Sequence, residues 1–433
     1  MSVALPTSTS PALKAEPLTV AEGFKYGLMG LPLAFVALPL YVFLPNHFAR
    51  EFAVPLASLG AILMGARLFD AVIDPWLGRV SDRLFSHSRF AVLSFAALAA
   101  LLMWAGFALL FFPPVRSGSA LLVWATALLL VTYTAYSALS ITHQAWGAML
   151  GGDEAQRSRV FGWREGLGLV GVVMASIAPT ALGLSATVLL LAVALLMGWL
   201  AWCRARVPLD VKRGTAPTGT RHALWAPLQH AAFRRLLAVF MLNGIASAVP
   251  ATLVLFFVQD RLQASREREP AFLGTYFVCA ALSIPLWLKV VARLGLARTW
   301  GLGIALAIVV FIWAVLLGPG DSVAFLAVCA LSGVALGTDL ALPSALLVGV
   351  IAKAGHRGQA EGAYFGWWNF ASKLNLALAA GLALPLLAVF GYTPGTRGPQ
   401  ALQALAVAYG LLPCVLKGLA AVALYHWIIR PQP

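Results

Sequence analysis

Long apolar runs recur along the whole of this chain of 433 residues, and short polar stretches separate them. Each run is long enough for the roughly 20 residues that an α-helix needs to cross the hydrocarbon core of a bilayer. The pattern therefore predicts about twelve membrane-spanning helices, which we call spans 1 to 12. Their predicted positions are residues 24–45, 54–80, 90–112, 120–150, 160–183, 186–203, 236–259, 271–292, 299–318, 322–351, 360–390 and 400–428.

The apolar runs are continuous, whereas the strands of a membrane β-barrel alternate apolar and polar residues over segments of about ten. A continuous run satisfies its own backbone inside a bilayer only as a helix. The composition agrees, with 61% hydrophobic residues, 11% charged residues and a mean hydropathy of +0.86. A soluble domain carries about 25% charged residues. The fold class is therefore predicted to be all-α, as a polytopic membrane protein.

The net charge of +14 does not call for a polyanionic partner, because Lys and Arg are concentrated in the loops on one side of the predicted spans. This asymmetry is the positive-inside bias that orients membrane proteins. We expect both termini in the cytoplasm, a bacterial inner-membrane location and no nucleic-acid partner. The N-terminal residues lack the charged start and short apolar core of a cleaved signal peptide.

The spans divide six and six around a hydrophilic, Pro- and Gly-containing connection. The predicted organisation is a cytoplasmic tail at 1–22, a six-helix bundle at 23–204, a linker at 205–235, a second six-helix bundle at 236–428 and a tail at 429–433. The two bundles resemble each other in sequence. Pro75–Leu84 is echoed by Pro285–Leu294, and Phe161–Trp163 by Phe365–Trp367, at offsets of 210 and 204 residues. One duplicated six-helix unit explains both offsets.

Span 2 carries Arg67, Asp70 and Asp74 at helical spacing, on one face of an otherwise apolar helix. An ionised side chain at bilayer depth costs at least roughly 2.5 kcal/mol, so the cluster must face a partner or a cavity. Two carboxylates one turn apart repel unless they share a proton or a cation. The second bundle has Ala280 and Ile284 at the equivalent positions. The pattern predicts one cation site, in the first bundle.

Spans 4, 5 and 11 hold further polar groups. In span 11, Asn369 and Lys373 interrupt a stripe of small residues that lets helices approach closely, and Arg164 lies on a similar stripe in span 5. Both charges could bind substrate or balance charge inside the bundle. Span 4 carries hydroxyl, amide and aromatic groups of the kind that grip polyols. Its members are Tyr133, Tyr136, Ser137, Ser140, Thr142, His143, Gln144 and Trp146.

Three further residues of the spans are ambiguous from the sequence. His143 is either a proton relay or a hydrogen-bonded packing residue. Asp339 precedes Pro343 in span 10 and either caps a kink or has a function, and Lys417 in span 12 is expected to snorkel toward the interface.

Enzyme chemistry has no visible signature, because the chain lacks a phosphate-binding glycine loop, His ligands at metal-binding spacing and a nucleophile with a base. The isolated residues Cys203, Cys279, Cys329 and Cys414 are predicted to pack rather than to form disulfides or a metal site. We expect no cofactor and no catalytic residue. Transport driven by an ion gradient is the remaining activity.

Several segments resemble the glycoside-pentoside-hexuronide:cation symporters, the melibiose-permease branch of the major facilitator superfamily. The resemblance is carried by Phe69 through Arg83, Lys25-Tyr26-Gly27, Asp153 through Arg164, Asn243 through Ser247 and Glu361 through Lys373. It implies a major facilitator fold of two pseudo-symmetric six-helix bundles. It also implies that Asp70 and Asp74 bind Na⁺, Li⁺ or H⁺.

The resemblance further implies roles for residues of spans 4, 5 and 11. Arg164 would lie near the sugar and Lys373 near the cation, and Trp146 would match a tryptophan of span 4. The chain departs from melibiose permease at Ala34 and Thr142, where that transporter has sugar-binding aspartates. It departs also at Ile73, where an asparagine oxygen is lost. Because Na⁺ needs several oxygen ligands and a proton needs one carboxylate, this loss favours H⁺ coupling.

The sequence thus predicts a secondary active transporter that couples H⁺ or Na⁺ to symport of a small polar solute, a sugar or glycoside, by alternating access. The predicted cation site is Asp70 and Asp74, which would also be the metal ligands if Na⁺ is the ion, with Arg67 and Lys373 coupling charge. The predicted substrate-binding residues are Thr142, His143, Trp146, Arg164, Asn369 and Lys373, and the predicted gating residues are Gly78, Asp82 and Arg83.

Two other functions fit the same residues. One is symport of a lysophospholipid or another amphipathic solute, because the cavity is short of acidic sugar ligands. The other is a non-transporting substrate sensor or membrane assembly protein. The expected partners are a small-molecule substrate and the lipid bilayer, and the protein is expected to act as a monomer.

Overall fold

The computed structural model describes residues 17–208 and 222–431. Twelve long helical runs cross this described part of the chain, and we number them α1 to α12 after the predicted spans. They are α1 Val20–Glu51, α2 Leu56–His87, α3 Arg89–Phe111, α4 Gly118–Met149, α5 Glu154–Ala181, α6 Leu184–Cys203, α7 Ala231–Arg261, α8 Glu269–Leu294, α9 Leu296–Leu316, α10 Ser322–Lys353, α11 Glu361–Val389 and α12 Pro399–Ile429. A short helix, His222–Gln229, precedes α7.

Eleven of these runs are long and apolar enough to cross a membrane by length and composition. The twelfth, α2, has 32 residues and packs between α4 and α11. At 1.5 Å per residue it is about 48 Å long, which exceeds the hydrocarbon core of a bilayer. The prediction of an all-α, twelve-span membrane protein is confirmed.

Local sequence sets several helix boundaries. Thr19 caps α1 by accepting from the backbone N–H of Glu22, whose carboxylate accepts from Thr19 in return. Asp153 caps α5 through the N–H of Gln156 at 2.8 Å. Gly295 turns the chain between α8 and α9 with a φ of +79°, which favours glycine. These caps begin α5 and α1 several residues before the predicted spans 5 and 1.

Helix packing repeats between the two halves of the chain. In the first half α1 packs on α5, α2 on α4, α3 on α4, and α3 on α6; in the second half α7 packs on α11, α8 on α10, α9 on α10, and α9 on α12. Each contact recurs six helices later, as a duplicated unit requires. The halves meet along two equivalent seams, α2 with α11 and α5 with α8. We call them the α2–α11 seam and the α5–α8 seam.

The two bundles run from Val20 to Cys203 and from Ala231 to Ile429, close to the predicted boundaries. The second bundle begins at Ala231, five residues before its predicted start at 236. Residues 1–16 of the predicted N-terminal tail, 209–221 of the predicted linker and 432–433 lie outside the described residues. All four cysteines are free thiols in the structure.

Candidate functional site

The predicted cation site is assembled from three helices at the α2–α11 seam. Asp70 and Asp74 come from α2, Ser137 from α4 and Lys373 from α11. The Nζ of Lys373 lies 2.7 Å from Oδ2 of Asp70 and 2.8 Å from Oδ2 of Asp74. Asp70 and Asp74 are 2% and 0% exposed. The structure therefore brings both predicted cation ligands together with the predicted charge-coupling lysine.

Five oxygen atoms surround the ammonium group of Lys373. Besides the two Oδ2 atoms, they are Oδ1 of Asp74 at 2.9 Å, the hydroxyl of Ser137 at 2.7 Å and the backbone carbonyl of Asp70 at 3.3 Å. The Ser137 hydroxyl in turn donates to Oδ1 of Asp70 at 2.6 Å. An ammonium group has three protons, so it cannot donate a full hydrogen bond to all five oxygens. The arrangement is an oxygen cage with a lysine at its centre.

Two carboxylates against one ammonium group leave this cage with a formal charge of −1. Arg67 does not compensate it, because its side chain is exposed and its guanidinium lies 4.5 Å from the centre of the Tyr41 ring, in a cation–π contact. The sequence spacing placed Arg67 on the same helix face as Asp70 and Asp74, but in the structure its guanidinium contacts Tyr41 instead of the carboxylates. A buried charge of −1 in a membrane is costly and attracts a cation or a proton.

A chain of polar side chains continues along α4 from the cage. Arg164 donates to the hydroxyl of Ser140 at 3.2 Å, Gln144 donates to the same hydroxyl at 3.3 Å, and Asn369 donates to Gln144 at 2.9 Å. Arg164 also pairs with Glu165. The chain joins α5, α4 and α11, and thus both halves of the protein. Two of the predicted substrate-binding residues, Arg164 and Asn369, belong to it.

Ser137, Ser140 and Gln144 belong to the polar cluster that the sequence suggested for a polyol, but they were not among the six residues predicted individually to bind substrate. Their spacing of three and four residues places them on one face of α4, and this face meets α2 and α11. That spacing was the available signal. The composition of span 4 indicated a polar helix. These three residues differ from their polar neighbours only in lying on the side of the helix that faces α2 and α11.

The structure does not bring Thr142, His143 and Trp146 to the cage. His143 is buried against α1, where its ring stacks on Tyr26 at 4.3 Å and its Nε2 lies 2.9 Å from the Tyr26 carbonyl. Trp146 donates to the carbonyl of Arg206 at 3.1 Å. Thr142 is fully buried on the same helix. Of the alternatives for His143, the hydrogen-bonded packing residue matches these contacts.

Both ends of the described chain lie on one side of the helix bundle, which we call the terminal side. Two of the three predicted gating residues, Gly78 and Asp82, join the halves there. The carboxylate of Asp82 accepts from the backbone N–H groups of Gly362 and Ala363 at 2.7 and 2.9 Å, at the start of α11. Gly78 packs against the backbone of Gly362, where a Cβ would overlap a carbonyl oxygen. Arg83 is exposed at the same end of α2.

The N-terminus of α11 thus receives an anionic cap from the other half of the protein, which satisfies free N–H groups and complements the helix dipole. A second contact of this type lies at the α5–α8 seam. There Glu154 accepts from the N–H of Leu296 at 2.6 Å, at the start of α9. Two caps therefore hold the halves together on the terminal side.

The two seams repeat each other except for their charge. A Cβ on Gly366 would lie 2.6 Å from the carbonyl oxygen of Asp74, and a Cβ on Gly162 would lie 3.2 Å from the side chain of Ile284. The repeated phenylalanines of the duplicated unit, Phe161 and Phe365, stack on each other at 5.8 Å between the halves. The duplication therefore holds in space, and the pair of Asp70 and Asp74 in the α2–α11 seam has uncharged equivalents, Ala280 and Ile284, in the α5–α8 seam.

The second half contains an ion pair of its own. Lys417 of α12 lies 3.0 Å from Asp339 of α10 and donates to the amide oxygen of Asn243 at 2.8 Å. Trp300 donates to the other carboxylate oxygen of Asp339 at 2.8 Å. The expectation that Lys417 snorkels is wrong, because a buried carboxylate and an amide supply its partners inside the bundle.

The comparison with protein families covers nearly the whole chain. Residues 25–429 match the family described as MFS/sugar transport protein, where MFS is the major facilitator superfamily. The chain belongs to this family of transporters. Among curated relatives, it is similar to the inner membrane symporter YicJ of Escherichia coli strain K12, with 24% identity over 294 residues. That match covers 63% of this chain and 62% of the length of YicJ.

Solved structures support the major facilitator fold of this transporter. A bacterial homologue of the iron transporter ferroportin, in an outward-facing state, aligns with a TM-score of 0.69 at 18% identity, over 95% of this chain and 99% of that one. The E. coli fucose:proton symporter FucP, in the outward conformation, aligns with a TM-score of 0.64 at 14% identity, over 93% of this chain and 99% of that one. At these identities the likeness concerns the fold.

Proposed function

We propose that this transporter is a cation-coupled symporter of a small, uncharged polar solute, a sugar or glycoside, that works by alternating access. The observation that carries the proposal is the cage of five oxygens around Lys373, with its formal charge of −1. A proton on one carboxylate would bring that charge to zero, and a monovalent metal cation could take the place of the ammonium group between the carboxylates. The similarity to a symporter named YicJ, and to the fold of a fucose:proton symporter, supports the same class.

Coupling follows from competition for the cage. The ammonium group of Lys373 occupies the position that an entering cation needs, so a metal cation must displace it. A proton on one carboxylate would remove one of its two ionic partners. A metal cation would thus release Lys373 from the α2–α11 seam, and a proton would weaken its hold there. Since α11 also carries Asn369, the same event reaches the polar chain that we propose as the sugar site.

The coupling ion is H⁺ or Na⁺. The loss of an asparagine at Ile73 favoured H⁺ from the sequence, but the cage supplies five protein oxygens without that residue. Hard cations such as Na⁺ take several oxygen ligands, so the cage offers enough for either ion. The test below is therefore designed to separate the two.

The solute site that we propose is the polar chain formed by Arg164, Ser140, Gln144 and Asn369. Its amides and hydroxyl both donate and accept hydrogen bonds, and its guanidinium donates them, which matches the hydroxyl groups of a polyol. In the described structure these groups form hydrogen bonds with one another. A bound sugar would exchange those hydrogen bonds for new ones with its own hydroxyl groups, and no polar group would be left without a partner. Thr142, His143 and Trp146 stay predictions, and their contacts within the first half do not place them in this site.

The positive-inside bias assigns the terminal side to the cytoplasm of a bacterial inner membrane. With Asp82 and Glu154 holding the halves together there, the described conformation is closed to the cytoplasm. Gly78 and Asp82 would then act as the gate, and opening it requires both caps to break. We propose that the protein works as a monomer in the bilayer, without a cofactor and without a nucleic-acid partner.

The decisive experiment measures cation binding before the solute is known. Thermal unfolding of the protein in lipid nanodiscs would be followed while Na⁺ replaces choline at constant ionic strength, at two pH values. A ligand of the native state stabilises by RT ln(1 + [L]/Kd), about 2.7 kcal/mol at a hundredfold excess over Kd. Each condition would be repeated with D74N and with the control E51Q, which alters an exposed carboxylate.

A shift with Na⁺ or with protons that is lost in D74N and kept in E51Q supports the cation site and names the ion. Sugars and glycosides would then be screened for a further shift, and a hit tested for concentrative uptake into proteoliposomes. Indifference of the wild type to both ions contradicts the proposal. Solute binding without cation-driven uptake would instead indicate a sensor.

A further inference from the structure

A groove of about 360 Å³ lies on the outer surface of the first half, between α2 and α3, and we call it the α2–α3 groove. Phe69 and Leu77 of α2 and Leu98 and Leu102 of α3 form its walls, and Ala135 of α4, which is 4% exposed, lies at its floor. Three of the wall side chains are about half exposed, although each lies well inside a membrane-spanning helix. The groove therefore opens toward the hydrocarbon chains of the bilayer.

The second half fills the equivalent place with a side chain of its own. At the offset of 210 residues Leu77 corresponds to Trp287, and at the offset of 204 residues Leu130 corresponds to Val334. The indole N–H of Trp287 donates to the carbonyl of Val334 at 2.7 Å, between α8 and α10. In the first half, Leu77 and Leu130 both line the groove, and the neighbouring Trp76 is exposed. A leucine in place of the tryptophan thus leaves open a position that the duplicated unit is able to fill.

Two exposed arginines lie at the terminal-side end of this groove. α2 and α3 are joined there by a short turn, with Arg83 near the end of α2 and Arg89 at the start of α3. Each lies six residues beyond the last groove residue of its helix, Leu77 or Phe95, which is a rise of about 9 Å. Among the described residues, no carboxylate forms an ion pair with either guanidinium. Both charges are therefore available to an anion at the edge of the membrane.

Anionic headgroups are the ligands that match this arrangement. The polar layer of a bilayer begins at the edge of the hydrocarbon core and is about 5–8 Å thick on each side. Arginines about 9 Å beyond an apolar groove thus lie at the depth of lipid phosphates. Guanidinium groups bind phosphate through paired N–H donors, and basic pockets between helices on the cytoplasmic side bind anionic headgroups. A zwitterionic headgroup would bring a further positive charge next to both arginines, so charge selects the anionic lipid.

We propose that the α2–α3 groove is a specific site for one anionic phospholipid of the cytoplasmic leaflet, with an acyl chain in the groove and the phosphate at Arg83 and Arg89. The site backs onto the cation cage, because the wall residue Phe69 directly precedes Asp70 on α2. A bound lipid holds α2 and α3 together at that depth. The site is separate from the proposed solute site, and the inference depends neither on the solute nor on the coupling ion.

The test measures lipid retention by native mass spectrometry of the full chain, released from nanodiscs with equal amounts of phosphatidylglycerol and phosphatidylcholine of identical acyl chains. A basic residue near the membrane surface contributes about fivefold in affinity for an anionic lipid, so two should favour phosphatidylglycerol on the order of 30-fold. R83Q/R89Q should bring this preference close to one. R293Q/R298Q, which changes two exposed arginines at the equivalent connection of α8 and α9, should keep it.

Two tryptophan variants test the groove itself. L77W copies the arrangement of the second half and fills the groove, so it should lower retention of phosphatidylglycerol at least fivefold. L286W adds an indole at an exposed position of α8, the counterpart of Trp76, and should leave retention unchanged. Thermal unfolding in phosphatidylcholine nanodiscs shows whether each variant is folded. Phosphatidylglycerol should raise the unfolding temperature of the wild type and of R293Q/R298Q, but not that of R83Q/R89Q or L77W.

Equal retention of the two lipids by the wild type overturns the inference. A preference for phosphatidylglycerol that R83Q/R89Q keeps, or that R293Q/R298Q loses to the same extent, overturns it too. Retention that folded L77W leaves intact contradicts the placement of the acyl chain in the groove. A complex of two chains that L77W dissociates would assign the groove to a second copy of this chain, against the proposal. The cation dependence of unfolding tests the proposed function separately, so either proposal can fail alone.

Discussion

Replacing Lys373 with methionine should change the formal charge of the oxygen cage from −1 to −2. Nζ lies 2.7 and 2.8 Å from two carboxylates that are almost fully buried. At an effective dielectric constant of 20, each contact corresponds to about 6 kcal/mol of Coulomb energy before desolvation is subtracted. Removing one partner of a buried ion pair costs about 3–5 kcal/mol in practice. We expect K373M to lose that much unfolding free energy when no cation is bound.

Binding of a proton or a metal cation to the carboxylates should restore the unfolding free energy that K373M loses. Low pH protonates a carboxyl group and removes unpaired charge, so the variant should be more stable near pH 5 than near pH 8. Saturating Na⁺ should also stabilise it if the cage binds metal. Because the ammonium group no longer competes, the affinity for the coupling ion should exceed that of the wild type. Solute accumulation should be lost, since ion binding no longer moves α11.

The assay is thermal unfolding in nanodiscs across pH and Na⁺ concentration. K289M is the matched control, because it removes the same charge from an exposed position of α8. A K373M protein as stable as K289M at neutral pH without Na⁺ would refute the energetic argument. Unchanged cation affinity in K373M would refute the competition, even if stability falls.

Three further predictions concern the seams and a loop. G366A should lower the unfolding free energy by several kcal/mol or prevent folding, because a Cβ at this position would overlap the carbonyl oxygen of Asp74. G162A would contact only the side chain of Ile284 and should lower it by less than half as much. Chemical denaturation of both variants tests this, and equal losses would contradict it. D82N should weaken the cap on α11 by about 1–2 kcal/mol and raise thiol labelling of cysteines placed between the halves on the terminal side, and unchanged labelling would contradict its proposed gating role. Burial and the neighbouring His230 lower the pKa of His356 in the loop before α11. The unfolded chain therefore takes up this proton at a higher pH than the folded protein does, so His356 lowers the unfolding free energy as pH falls. H356Q should reduce the loss of stability on the acid side, and an unchanged pH profile would contradict this.

The helices and the duplication were predictable because both leave long-range periodic signals. Span length, the six-and-six division and the offsets of the repeated motifs all survive in the structure. The pair of Asp70 and Asp74 was recognisable from local spacing alone, since both lie on one helix. The family resemblance and the small-residue stripe identified Lys373, and the structure shows it at the cage.

The remaining contacts depend on how different helices face one another. Asp339 and Lys417 lie on helices separated by the whole of α11, so no spacing within a span could pair them. On α4 the sequence offered several polar residues, and the residues selected from it, Thr142, His143 and Trp146, do not reach the cage. The face that meets α2 and α11 carries Ser137, Ser140 and Gln144 instead. The rotation of a helix about its axis is set by its neighbours, which is why the composition of the span did not reveal it.

The two seams of the duplicated protein differ in charge, because only the α2–α11 seam holds Asp70, Asp74 and Lys373, and they can therefore have different roles. At the α5–α8 seam Ile284 stands where the other seam has Asp74, and Gly162 packs on its side chain, so once the Glu154 cap has broken the helices can slide there without moving a buried ion pair. Under the proposed mechanism, the α2–α11 seam carries one positive charge in the cage in either case, from Lys373 in the empty carrier or from the ion in the loaded one. Because only one of the two seams has such a cage, that mechanism predicts one coupling ion per cycle.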